Sequence, residues 1–166
     1  MILEKLFTPT IRVEKIEDLD YKGLLDKGYK AIILDVDNTL ISSKTPVPDK
    51  RCFKVIEELK KTGFIVIISS NNTKKRVGKF CKDFNVKWYF WSFKPLPFIY
   101  KRILKDFNLK KEEVITCGDQ LLTDILGSNQ AKIDSILVKP LKLSDDQFNT
   151  KISRMIEGFL FKHVVK

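Results

Sequence analysis

The chain has 166 residues, 43% of them hydrophobic, with 12 Phe. That suffices for a sizeable core, and a single domain over residues 1–166 is expected. Against 21 Asp and Glu stand 31 Lys and Arg, a net charge of +10 spread along the chain without a dense block; it suits a lysine-rich soluble surface, or attraction to phosphates, nucleic acid or an anionic membrane. No apolar run is long enough to span a bilayer, and the charged first residues, Met1 to Phe7, do not read as a secretory signal. Cys52, Cys81 and Cys117 are odd in number and lack metal-ligand spacing. Reduced thiols in a cytoplasmic protein are expected, with no zinc site.

In chain order, residues 1–29 form an extension packed on the core. Within it, Ile11 to Val13 has the character of a short extended piece. Asp20 to Lys27 reads as a helix, with Asp20 as N-cap and Gly28 as stop. Ala31 to Leu34 is a short run rich in branched residues, the pattern of a parallel strand buried on both faces. Ser42 to Asp49 holds two prolines and reads as a loop. Pro48 to Thr62 carries Cys52, Phe53, Val55, Ile56 and Leu59 at helical spacing, closed by Gly63. Phe64 to Ile68 is a second buried strand, Thr73 to Phe84 a basic helix, and Val86 to Trp91 an aromatic-rich strand. Leu96 to Phe107 is a helix, Glu113 to Cys117 a strand, Leu121 to Ala131 a helix and Ser135 to Val138 the fifth strand.

This alternation predicts a three-layer, doubly wound α/β fold. Its sheet is mainly parallel and five-stranded, with helices on both faces and right-handed crossovers. After Pro140, Ser144 to Gln147 has the form of a capping box. Phe148, Ile152, Met155, Ile156, Phe159 and Leu160 then give an amphipathic helix over 144–163. It packs on the sheet or a neighbour in one reading and lies on a membrane surface in the other.

Polar groups recur directly after four of the strands, which argues for one shared site at the carboxyl edge of the sheet. Asp35 and Asp37 follow the first core strand. Two apart, they are placed on the same side by strand geometry, and a divalent cation would make their mutual repulsion tolerable. Asn38 follows them; an Asx-turn there is the ordinary alternative. Ser69 and Ser70, then Asn71 and Asn72, follow the second strand. Lys94 follows the aromatic strand, and Gly118 and Asp119 follow the fourth. Attack on a phosphate monoester sets negative charge against negative charge, so it needs a hard cation and fixed donors. Asp35 and Asp119 offer oxygen ligands for Mg²⁺, Ser70 a hydroxyl, and Lys94 a point charge; Asn38 and Asn71 are further candidates for phosphate contact. Gly118 would let the backbone turn sharply beside the metal. Taken singly, these residues also read as helix caps, strand ends and surface lysines.

Asp35-Val36-Asp37-Asn38-Thr39-Leu40 resembles the first motif of the haloacid dehalogenase (HAD) superfamily. Ser70-Asn71-Asn72 after its apolar strand resembles the second, Lys94-Pro95 the third, and Gly118-Asp119-Gln120-Leu121-Leu122-Thr123-Asp124 the fourth. Either Ser69 or Ser70 suits the second motif; Ser70 is taken because in the family Asn commonly follows that hydroxyl. Over about residues 5–158 the chain looks like the capless YqeG-type branch of HAD phosphatases, subfamily IIIA, whose relatives include phosphatidylglycerophosphatases. The resemblance implies that Asp35 is a nucleophile forming an aspartyl-phosphate and Asp37 a general acid/base. It implies Mg²⁺ on the Asp35 and Asp119 carboxylates and the Asp37 carbonyl, with Asp124 supporting. The intervals from Asp37 to Ser70 and from Ser70 to Lys94 are too short for an inserted cap domain.

An open, capless site favours a large phosphorylated substrate. With the positive charge and amphipathic end, one expectation is an enzyme peripheral to an anionic membrane surface, acting on a lipid phosphate such as phosphatidylglycerophosphate. The other is a soluble phosphatase whose last helix is buried. A receiver-type switch domain, phosphorylated on Asp, is disfavoured by motif order: its lysine follows the fifth strand, whereas Asp119 here follows the lysine. A nucleic-acid-binding module would need basic and aromatic residues on one surface. Only Trp88 to Trp91 beside Lys87 and Lys94 offers that, and strand core accounts for most of it, so nucleic acid is not the expected partner.

Overall fold

The structure, a computed structural model, describes residues 2–142 and 155–158. Six strands pair in parallel throughout: β1 (Ile11–Val13), β2 (Ala31–Leu34), β3 (Ile65–Ser69), β4 (Lys87–Tyr89), β5 (Val114–Gly118) and β6 (Asp134–Val138). Their order across the sheet is β1-β6-β5-β2-β3-β4. The sixth strand, beyond the five expected, is β1. Its three residues are too few to show a period, and it is recruited by pairing Ile11 with Ile136 and Val13 with Val138. The N-terminal extension thus supplies a sheet edge as well as packing on the core.

Helices α1 (Ile2–Phe7), α2 (Tyr21–Asp26), α3 (Lys50–Thr62), α4 (Lys74–Cys81), α5 (Phe98–Asp106) and α6 (Leu126–Ala131) cover the sheet. α3 begins where Asp49 accepts the Cys52 N–H and ends at Gly63 with φ 118°, a left-handed value that suits glycine. Alternation along β2 sorts the core into two layers. Ile32 and Leu34 pack with Val55, Ile56, Leu59, Val77 and Phe80 of α3 and α4. Ala31 and Ile33 pack with Ile99, Tyr100 and Ile103 of α5. Such two-sided burial explains why β2 has no polar face.

Chain order turns back at β2: β3 and β4 lie on one side, β5 and β6 on the other. The loop after β2 therefore leaves the sheet at the switch point, where doubly wound folds bind ligands. Between the β2 loop and Lys94 stand α3, β3, α4 and β4 with their loops, so among the described residues there is no cap. The amphipathic helix expected over 144–163 lies outside the described residues except at 155–158, a helical turn. There Glu157 is buried and accepts the Leu122 N–H at 3.0 Å, while Met155 and Ile156 are exposed.

Candidate active site

Leu34, the last residue of β2, has Ile68 of β3 and Cys117 of β5 as its lateral partners. Three loops therefore leave the sheet side by side. Asp35 continues from β2, its N–H donating to the Cys117 carbonyl at 2.9 Å.

Lys94 ties the loops together. Its Nζ donates to Asp35 Oδ1 at 2.8 Å, Asp124 Oδ1 at 2.6 Å and the Ser69 carbonyl at 3.1 Å, and only 4% of its side chain is exposed. Burial alone would pull the ammonium down, but Asp124 and Asp35 outweigh it and hold Lys94 above the ordinary lysine range. Burial pushes the Asp35 carboxyl well up; Lys94 opposes this, while Asp124, Asp119 and Asp37 push it further. The loop carrying Lys94 is clamped by Asn71. The Asn71 amide donates to the Lys94 carbonyl at 2.9 Å and accepts its N–H at 2.7 Å. Both ends of that side chain are thus spent on positioning Lys94. The Ser69 hydroxyl donates to Ser92 at 2.9 Å. Ser70 Oγ accepts the Asn72 N–H at 3.1 Å and keeps its own proton to give.

Asp119 follows β5 and accepts from Thr39 Oγ1 at 3.1 Å. Asp124, expected as a supporting group, shares the Lys94 ammonium with Asp35. It lies in a π-turn, Leu121–Ile125, ahead of α6, where the wider winding re-aims a side chain. Gly118 makes room for it: a Cβ there would sit 2.2 Å from Asp124 Cγ. The glycine therefore serves close approach within β5; it makes no left-handed turn. Nearby, Gly127 of α6 packs on Pro95, and Asn129 Nδ2 donates to the carbonyls of Lys5, Leu6 and Thr8.

Oxygens of Asp35, Asp119 and Asp124 lie within 4.8 Å of one another. Three carboxylates against the Lys94 ammonium leave two negative charges, which a hard divalent cation would neutralise; the donor set fits one. The Asp37 carboxylate is not in this group. β2 ends at Leu34, so strand alternation does not extend to Asp37. Its Oδ1 accepts from Arg76 at 2.7 Å and its Oδ2 from Asn72 at 3.1 Å. Arg76 also donates to the carbonyls of Thr45 and Ser42. Asn72 and Thr39 lie inside the quoted motifs but carry no role there, and no motif includes Arg76. Arg76 is the sole arginine among the lysines of its helix, the one signal that set it apart. Beside Asp119 opens a cavity of about 600 Å³, lined in part by Val13, Leu137, Val138 and Pro140.

Residues 46–138 match the profile of the haloacid dehalogenase-like hydrolases. The chain belongs to that family. It is 36% identical over 156 residues, 94% of this chain and 90% of the other, to the probable phosphatase YqeG of Bacillus subtilis. The family and this kinship make it a phosphoric monoester hydrolase. Phosphatidylglycerophosphate phosphatase 1 of Arabidopsis thaliana is 23% identical over 93% of this chain, which spans about half of that longer protein (47%). The HAD fold itself is shared with the 3-deoxy-D-manno-octulosonate 8-phosphate phosphatase of Moraxella catarrhalis, solved with magnesium and phosphate. There the TM-score is 0.52 and identity 15%, over 86% of this chain and 97% of that one. HAD phosphatases generally use a divalent metal, and the three aspartates fit that chemistry.

Proposed function

We propose that the chain hydrolyses a phosphate monoester by attack of the Asp35 carboxylate, through an aspartyl-phosphate. The observation that carries this reading is Lys94 shared between Asp35 and Asp124 at the sheet's switch point. The Asp35 oxygen forms a bond to phosphorus as the bond to the ester oxygen breaks. Asp37, held by Arg76 and Asn72, gives its proton to the leaving alcohol and then takes one from the water that releases phosphate. Ser70 donates to a phosphate oxygen and Lys94 supplies a positive charge beside it; Asn71 contributes by fixing Lys94, while Asn38 sits at the turn beside Asp37. Asp35, Asp119 and the Asp37 carbonyl, with Asp124, would hold Mg²⁺, which supplies positive charge to the phosphoryl oxygens.

The substrate in this reading is lipid-borne, of the phosphatidylglycerophosphate kind. An open site, the apolar cavity beside Asp119, the charge of +10 and the Arabidopsis relative support it. The enzyme would work in the cytoplasm at an anionic membrane surface.

Asp35→Asn tests the mechanism, since an amide is no nucleophile. Turnover of a soluble phosphate ester should vanish while the circular dichroism spectrum stays unchanged, and EDTA should silence the wild type reversibly. Near wild-type turnover in folded Asp35→Asn would remove Asp35 from the chemistry.

A further inference from the structure

The loop that delivers Lys94 inward presents a row of large apolar side chains outward. Trp91 is 54% exposed, Phe93 67%, Leu96 49% and Phe98 69%. The aromatic cluster beside Lys87 thus divides. Tyr89 is buried and donates to Asp106, Trp88 and Phe90 pack on the core, and Trp91 turns to solvent. Trp91 and Phe93 hold φ values of 44° and 52°, a region that bulky side chains rarely occupy. Their backbones are fastened to the site: Trp91 N–H donates to the Asn72 carbonyl, and Ser92 N–H to that of Ser70. Asn72 in turn holds Asp37. The apolar row therefore sits at the rim of the candidate active site.

Cations accompany it. Phe98 opens α5, and Lys101, Arg102 and Lys105 follow at i+3, i+4 and i+7 on its exposed side, opposite Ile99, Tyr100 and Ile103. From Lys87 to Asp106 the chain has five cations and one anion, and Lys94 alone of the five is buried. Aromatic residues beside exposed basic ones match a bilayer's interface, where rings sit at headgroup depth and cations meet anionic lipid. A second copy of the chain fits less well, since it would bring the same cations, and another +10, face to face.

We propose that Trp91, Phe93, Leu96 and Phe98 form an interfacial docking patch that seats the active-site rim on an anionic lipid bilayer. This extends the lipid-borne reading above and locates the contact on the loop after β4. Docking here presents the site opening to headgroups without extracting the lipid.

The test uses the full chain with vesicles of phosphatidylcholine, alone or containing phosphatidylglycerol. The wild type should cosediment with the anionic vesicles only, and lose binding at high salt. In the Trp88→Phe variant, Trp91 is the remaining tryptophan, and its emission should shift to the blue on binding. Phe93→Asn with Phe98→Ser should weaken binding at least tenfold while turnover of a soluble ester stays within twofold; Phe98→Ser alone gives a smaller loss in the same direction. Absence of wild-type binding overturns the proposal. So does binding unchanged by the double substitution, which would place the contact elsewhere, or a dimer that the double substitution dissociates. Asp35→Asn should bind vesicles as the wild type does, so docking and chemistry fail separately: vesicle binding without turnover sinks the mechanism alone, and turnover without binding sinks the patch alone.

Discussion

Lys94 spends its whole donor capacity on two carboxylates and one carbonyl, and the residues that position the carboxylates of the site, Asp37 included, are as open to test as Lys94 itself. Arg76 is the first. It holds Asp37 at 2.7 Å and braces the loop through Ser42 and Thr45 without touching the three-aspartate group. Arg76→Gln should lower kcat by up to about 10²-fold with KM little changed, the cost of letting a proton-transfer group drift. Steady-state kinetics check this, and an unchanged kcat would leave Arg76 a structural brace. Gly118 is the second. Alanine suits a β-strand backbone, so the damage of Gly118→Ala should fall on the Asp124 carboxyl, 2.2 Å from the new Cβ. Overpacking of this kind costs about 1–3 kcal/mol. The urea midpoint should fall accordingly and turnover should drop far more than stability explains. Turnover within twofold of wild type would show that Asp124 can move without consequence.

At the scale of elements, β2 to β6 and helices α2 to α6 were legible, because most carry apolar residues at the period of their kind and some have clear end signals, Asp20 before α2 and Gly63 after α3. β1 was legible as an extended piece over Ile11 to Val13 but not as part of the sheet, since three residues bear no period and its partner lies over a hundred residues on. The π-turn at Leu121–Ile125 was also hidden, because one extra residue per turn leaves no mark on a short apolar pattern. Site residues that follow strands could be found, as strand ends converge in this fold class; Arg76 reaches the site from within α4, and no spacing announces that. The loop after β4 carries a further prediction. Asn38 and Asn108 also adopt left-handed φ, as asparagine tolerates. Phe93 does so with an aromatic ring that is mostly in solvent, so it has strain to lose and little packing. Phe93→Asn should raise stability by about 1 kcal/mol, read as a higher urea midpoint. A lower midpoint would mean that ring contacts outweigh the backbone cost. A gain would fit a rim kept under strain for docking.

Across the whole molecule, stability should fall in alkali, and the buried thiols set the sign. Cys52 is fully buried and Cys81 nearly so, and burial pushes both thiols up to about 12. In the unfolded chain they ionise near the ordinary thiol value of about 8.5. Above that pH the unfolded state releases protons that the folded state keeps, so stability is full below about pH 8.5 and is lost as pH rises towards 12. Each thiol contributes at most about 1.4 kcal/mol per pH unit in that window. A second effect opposes this: lysines begin to lose charge near the top of the range, which relieves the self-repulsion of a +10 chain. The two are separated by replacing the thiols. The urea midpoint of the wild type should decline between pH 9 and 11, and the decline should flatten in Cys52→Val with Cys81→Val, whatever their stability at pH 8. Equal slopes in both proteins would show that the thiols ionise in the folded state, and hence that α3 and α4 admit water to the core beneath them.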